Sequence, residues 1–136
     1  MIRGAHGLPD GAITITLNPV ADQVVDATGL MAPGTQGLHC RADIMRLYRS
    51  YLKFNLNGIS NPKAIIGAEL RLYCEATTIP PPTLDVEVRK TGDYLDNGAT
   101  PWNETNLIWS NAPRVGDLIA TTPVGDKNIW YSWDGS

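Results

Sequence analysis

The sequence predicts an all-β protein, an antiparallel β-sandwich of jelly-roll type, and three observations predict it. The 136 residues include 13 glycines and 10 prolines, and a short chain that turns so often favours strands over helices. Several short runs alternate apolar and polar residues, the period of a strand with one buried face. No stretch carries the caps and sustained 3.6-residue periodicity of an ordinary helix. The length fits one domain, and it suffices to bury a real core.

Residues 1–11 read as an irregular arm closing on the turn signature Pro9-Asp10-Gly11. That leaves residues 12–136 as a single sandwich domain. Ala12–Leu17 alternates Ile and Leu with Thr and is the first expected strand; Pro19 ends it. Gln23–Asp26 is a short second strand. Residues 27–37 form a Gly- and Pro-rich loop, and Leu38–Ala42 is a third strand.

The clearest strand is Tyr48–Leu56. Ser50, Leu52, Phe54 and Leu56 share one face; Arg49, Tyr51, Lys53 and Asn55 share the other. After turn signals at Asn57-Gly58 and Asn61-Pro62, Ala64–Glu75 is a strand with Ala68, Leu70, Leu72 and Cys74 on one side. Glu69, Arg71, Tyr73 and Glu75 lie on the opposite side. Pro80-Pro81-Pro82 is a stiff extended connector. Thr83–Lys90 turns Leu84, Val86 and Val88 inward and Asp85, Glu87 and Arg89 outward. Residues 91–117 show little periodicity beyond a short strand near Asn106–Trp109, and Leu118–Val124 and Asn128–Trp133 are the last two strands.

Composition excludes several functions. The formal net charge is −3, which does not give the basic footprint of a nucleic-acid binder. Charged residues make up 18%, below the usual quarter or so. No run approaches the roughly 18 apolar residues of a membrane span, and the N-terminus has no apolar h-region of a secretory leader. Nucleophile elbows, zinc-protease helices and phosphate-binding loops are absent from the sequence. His39 and Cys40 are adjacent, so on a strand they point to opposite faces and form no dyad. The sequence therefore predicts no enzyme and no obligatory cofactor. Cys40 and Cys74 fit two small buried hydrophobes, with a bridge between them as the alternative.

Four motifs in order go beyond the generic. Tyr48-Arg49-Ser50-Tyr51-Leu52-Lys53-Phe54-Asn55-Leu56 is followed by Ala68-Glu69-Leu70-Arg71-Leu72-Tyr73. The third motif is Trp102-Asn103-Glu104 together with Trp109-Ser110-Asn111-Ala112-Pro113, and the fourth is Trp130-Tyr131-Ser132-Trp133-Asp134. Spanning roughly Asn18 to Asp134, this order resembles the DNRLRE-type domain, also described as the disaggregatase-related repeat. That domain is grouped with carbohydrate-binding module family 96. The resemblance implies a non-catalytic jelly-roll module of extracellular proteins, some members of which bind acidic polysaccharides. It also implies at least one core strand beyond the late Trp-Asp. The expectation is thus a sandwich lacking its last strand, open to completion by a neighbour's strand. Where such domains carry an Asn-rich loop, this chain has Ala32-Pro33-Gly34-Thr35-Gln36-Gly37.

The candidate site is the outward row: Arg49, Tyr51 and Lys53, then Arg71 and Tyr73, then Arg89. Lying in one sheet, these residues would make a basic, aromatic-studded strip suited to a uronate polymer. Arginine grips carboxylates bidentately, and tyrosine rings offer flat apolar faces to sugar. The competing expectation is a solvated ladder in which Glu69, Glu75, Asp85 and Glu87 neutralise the cations as cross-strand pairs. Among the tryptophans, Trp102 beside Pro101 is expected to be exposed and joins the glycan-binding candidates. Trp130 and Trp133, three apart on a strand, face opposite sides, so at least one of them is core, and core or core-rim packing is the expectation for each. A structural calcium ion, if held, would sit between Asp22 and Asp134 near the first and last strands.

Two functions follow. The first is a structural or attachment module of a surface assembly (a virion, sheath or filament), partnered by its own copies or a neighbouring structural protein. The second is an accessory carbohydrate-binding module for acidic polysaccharide, attached to a polysaccharide-active enzyme. Both place the protein outside the cell or on a virion surface, without nucleic acid and without membrane insertion.

Overall fold

The computed structural model describes residues 11–28, 38, 47–61, 65–75 and 83–135, together with the backbone of 41–42. Among the described residues there are seven strands: β1 (Ala21–Asp26), β2 (Arg41–Ala42), β3 (Leu47–Lys53), β4 (Glu69–Cys74), β5 (Leu84–Arg89), β6 (Leu118–Val124) and β7 (Ile129–Asp134). Every ladder between them is antiparallel. Among the described residues the only helical element is one 3-10 turn at Trp109–Asn111. The all-β antiparallel expectation holds. The ladders do not spell out a jelly-roll strand order; they form three separate sheets, β1-β3-β2, β4-β7 and β5-β6. The chain divides into two compact units, one of Pro19–Asn55 with Thr91–Gly116, the other of Met1–Asn18, Leu56–Lys90 and Asp117–Ser136. The arm at 1–10, the loop at 29–37 and Cys40 lie outside the described residues.

In the first unit β3 is the central strand. Ala21 pairs with Lys53, Gln23 with Tyr51 and Val25 with Arg49, so these six side chains share one face. β1 ends where the buried carboxylate of Asp26 accepts from the backbone N–H (2.8 Å) and hydroxyl (2.7 Å) of Thr28. Segment 91–116 covers the shared face. Ala21, Val25, Tyr51, Leu95, Trp102 and Leu107 form the core, with Trp109 and Ala112 packed against it.

Two corrections follow. Of the row Arg49, Tyr51 and Lys53, expected outward, Tyr51 is buried and Lys53 half-buried under segment 91–116, while Arg49 stays exposed with its guanidinium against Trp109. Counting aliphatic residues favours the opposite face, but a tyrosine ring and the apolar stems of Arg and Lys pack well under tryptophans. The strand expected near Asn106–Trp109 is instead a turn. Asn111 takes the N–H of Ile108 on its side-chain oxygen (2.8 Å) and donates to the carbonyl of Asn106 (2.8 Å), satisfying the backbone without a ladder.

In the second unit β4 pairs β7 and β5 pairs β6. Leu70, Leu72 and Cys74 share a face with Trp133, Tyr131 and Ile129. Trp133 is buried, 4% exposed, and its indole N–H donates to the Val86 carbonyl of β5 (2.8 Å). The Thr122 hydroxyl of β6 donates to the Ser132 carbonyl of β7 (2.6 Å). In the loop joining these strands, the Tyr131 hydroxyl accepts from the N–H groups of Gly125 and Asp126, and Asn128 takes a left-handed φ of 64°. Leu84, Val86 and Val88 are half-buried and Asp85, Glu87 and Arg89 exposed, as the alternation requires. Ala12–Leu17 is corrected: it joins no described ladder, and Ile13 is 78% exposed. Alternation specifies two faces, not a partner strand, and without a partner the backbone has no ladder to join.

Candidate functional site

The antiparallel register of β4 and β7 sets Tyr73 opposite Trp130, Arg71 opposite Ser132 and Glu69 opposite Asp134. All six stand on the face away from buried Trp133, because side chains alternate along each strand. Trp130 is 51% and Tyr73 44% exposed. Their ring centroids lie 5.4 Å apart at an interplanar angle of 62°, an edge-to-face pair. The Arg71 guanidinium carbon lies 5.3 Å from the Trp130 ring centroid, a cation–π contact. Arg71 Nε is 3.6 Å from Glu69 Oε1, which also accepts the Ser132 hydroxyl at 2.8 Å. An exposed aromatic corner is thus flanked by a polar row whose rotamers are held by one another.

Such a surface suits sugars. The C–H face of a pyranose is apolar and weakly positive at hydrogen, so it stacks on an electron-rich indole face. Ring hydroxyls project outward, where carboxylates, hydroxyls and a guanidinium exchange hydrogen bonds with them.

The other sequence candidates fall elsewhere. The strands β3, β4 and β5 belong to three different sheets, so the expected basic strip does not run across one sheet. Arg49 lies over Trp109, 4.5 Å from its ring centroid. Lys53 Nζ sits 4.3 Å above the Trp102 ring and donates to the carbonyls of Trp102 (2.7 Å) and Asp93 (3.4 Å). The ring of Tyr51 meets Trp102 edge-on at 6.1 Å. The buried Tyr51 hydroxyl makes no hydrogen bond of good geometry, although the Arg49 side chain approaches it. Burial raises its pKa, while the neighbouring Arg49 charge pulls the other way.

Trp102, expected to be exposed, is 2% exposed. Its N–H donates to the Gly92 carbonyl (3.1 Å). A reciprocal Asn103–Asn106 arrangement turns the chain just after it: the Asn103 side-chain oxygen accepts from Thr105 and Asn106, and the Asn106 side-chain oxygen accepts from the Asn103 N–H at 2.7 Å. The loop before Trp102 turns through Gly98 at φ 69°, a left-handed conformation that favours glycine.

On β5, Arg89 Nε is bonded to Glu87 at 2.7 Å, and this bond raises the arginine pKa further. The neutralising pairs Arg71–Glu69 and Arg89–Glu87 therefore run two residues apart along one strand, rather than across strands as expected. Asp22 and Asp134 belong to different units; the Asp22 N–H donates to Glu104 Oε1 at 3.1 Å. Among the described residues no three His, Cys, Asp or Glu side chains group as metal ligands, and no helix is long and apolar enough to cross a membrane.

Sequence reasoning did not place Trp130 among the candidates for this face. The signal was available: once Trp133 is core, strand parity turns Trp130 to the outward face of β4 and β7, where Tyr73 stands.

The family model for carbohydrate-binding module family 96 aligns with residues 13–135 of this chain. No curated protein and no solved structure matches it.

Proposed function

Since the chain belongs to carbohydrate-binding module family 96, we propose that it binds polysaccharide on the outer face of β4 and β7 without cleaving it. The observation that carries this reading is the half-exposed Trp130 indole, braced by Tyr73 and Arg71 on a regular ladder. Arg71 and Tyr73 are retained from the sequence candidates. Arg49, Tyr51, Lys53 and Trp102 serve as the scaffold of the other unit, with their rings and cationic groups packed there. In this reading the module is an accessory to a polysaccharide-active enzyme working outside the cell. The order of the tryptophan motifs supports a DNRLRE-type member. Among the described residues no feature favours a virion, sheath or filament role.

Mild oxidation with N-bromosuccinimide followed by peptide mass mapping tests the location. Trp130 is expected to react before Trp102 and Trp133, and saturating polysaccharide is expected to shield it. Retention by polysaccharide with no shielding of Trp130 would overturn the assignment to this face.

A further inference from the structure

We infer that this face takes a single hydrated polysaccharide chain and not the flat surface of a crystalline one, an inference that rests on reading the outer face of β4 and β7 as the carbohydrate site. A crystalline polysaccharide presents its sugar faces in one plane, so a protein that adheres by stacking needs aromatic rings that lie in one plane. Tyr73 and Trp130 stand at 62° to each other with ring centroids 5.4 Å apart. A surface lying flat on one of these rings therefore meets the other steeply tilted. No further ring of the unit extends the platform. Its other aromatic residues, Tyr131 and Trp133, alternate to the opposite side of the ladder, where they stand across from Leu72 and Leu70.

What the face does offer is one stacking ring with a polar row beside it. The Arg71 guanidinium carbon lies 5.3 Å from the Trp130 centroid, and the Ser132 hydroxyl donates to Glu69 Oε1 at 2.8 Å, all on the same side of the ladder as the rings. Groups of this kind exchange hydrogen bonds with the hydroxyls along the edge of a sugar chain. Within a crystal most of those hydroxyls are already bonded to neighbouring chains. On a hydrated chain they are bonded to water, which a protein group replaces at little net cost. A single chain thus presents its C–H face to the indole and its hydroxyl edge to the polar row at once, which a packed surface does not.

Soluble and crystalline polysaccharides, offered to wild type and to Trp130→Ala, test this. Affinity electrophoresis reads binding to soluble chains: hydroxyethylcellulose, glucomannan, glycol chitin, polygalacturonate and polymannuronate. Depletion from solution reads binding to microcrystalline cellulose, α-chitin and crystalline β-1,4-mannan. At least one soluble polymer is expected to retard the wild type, and the apparent affinity is expected to fall at least about tenfold in Trp130→Ala. Each crystalline solid is expected to take up no more wild type than variant. Depletion by any crystalline solid that is lost in Trp130→Ala would overturn the inference and leave the site intact. Retardation by soluble polymer that is unchanged in Trp130→Ala would instead remove the site on which the inference rests. Retention by no soluble polymer and no solid would overturn both.

Discussion

Tyr51 and Trp130 show how differently two aromatic residues of adjacent type can serve. The hydroxyl of Tyr51 is buried with a loose approach from Arg49 in place of a well-formed hydrogen bond, and an unsatisfied buried polar group costs about 1–3 kcal/mol. Tyr51→Phe keeps the ring against Trp102 and is expected to stabilise the protein by about 1 kcal/mol in urea unfolding at neutral pH. The pH dependence has a definite sign. Burial raises the folded pKa above the unfolded value, so this contribution is full below about pH 10 and is lost as pH rises through the folded value. The alkaline loss should shrink in Tyr51→Phe; identical curves for the two proteins above about pH 10 would contradict it. Trp130, by contrast, is half in water, so Trp130→Ala should change unfolding by less than about 1 kcal/mol while removing the stacking surface. The residue scale was the least legible in the sequence. Alternation fixed which residues share a face, but the aliphatic count on β3 assigned water to the row that the tryptophans cover. It also gave no warning that Trp102 would be core, because that depends on how segment 91–116 folds back; for Trp130 and Trp133, strand parity already set the two rings on opposite faces.

The strands were the legible elements. β1 and β3 to β7 fall inside or within two residues of runs recognisable from alternation, since a two-residue period survives any tertiary arrangement. The failures share a cause. Ala12–Leu17 has the period but no described ladder, and Asn106–Trp109 is held by asparagine side chains rather than strand pairing. Segment 91–116 is the least regular part of its unit, yet it supplies Leu95, Trp102 and Leu107 to the core. Trp102→Ala is accordingly expected to cost about 3–5 kcal/mol in denaturant unfolding. Asn103→Ala, which removes the acceptor of Thr105 and Asn106, is expected to cost about 1–2 kcal/mol by analogy with a lost helix cap. A surface-like loss of a few tenths from either variant would mean that this segment does not organise the sheet it covers.

For the molecule as a whole, cations and aromatic rings are distributed in two ways. In one unit Arg49 and Lys53 are spent on Trp109 and Trp102, where they fasten the covering segment. In the other, Arg71 and Trp130 lie on an exposed face beside two carboxylates. The expected basic strip required three strands in one sheet, and sheet membership is a long-range property that no local pattern carries. The motif order was informative where periodicity was not: it pointed to the family whose model spans residues 13–135. The central claim, that polysaccharide is held at Trp130, is tested most directly by calorimetric titration. Wild type and Trp130→Ala are each titrated with the polymer that retains the wild type best, alongside matched unfolding curves. The account predicts at least a tenfold weaker Kd for the variant, about 1.4 kcal/mol, with unfolding nearly unchanged. Equal affinities in two equally folded proteins would contradict it.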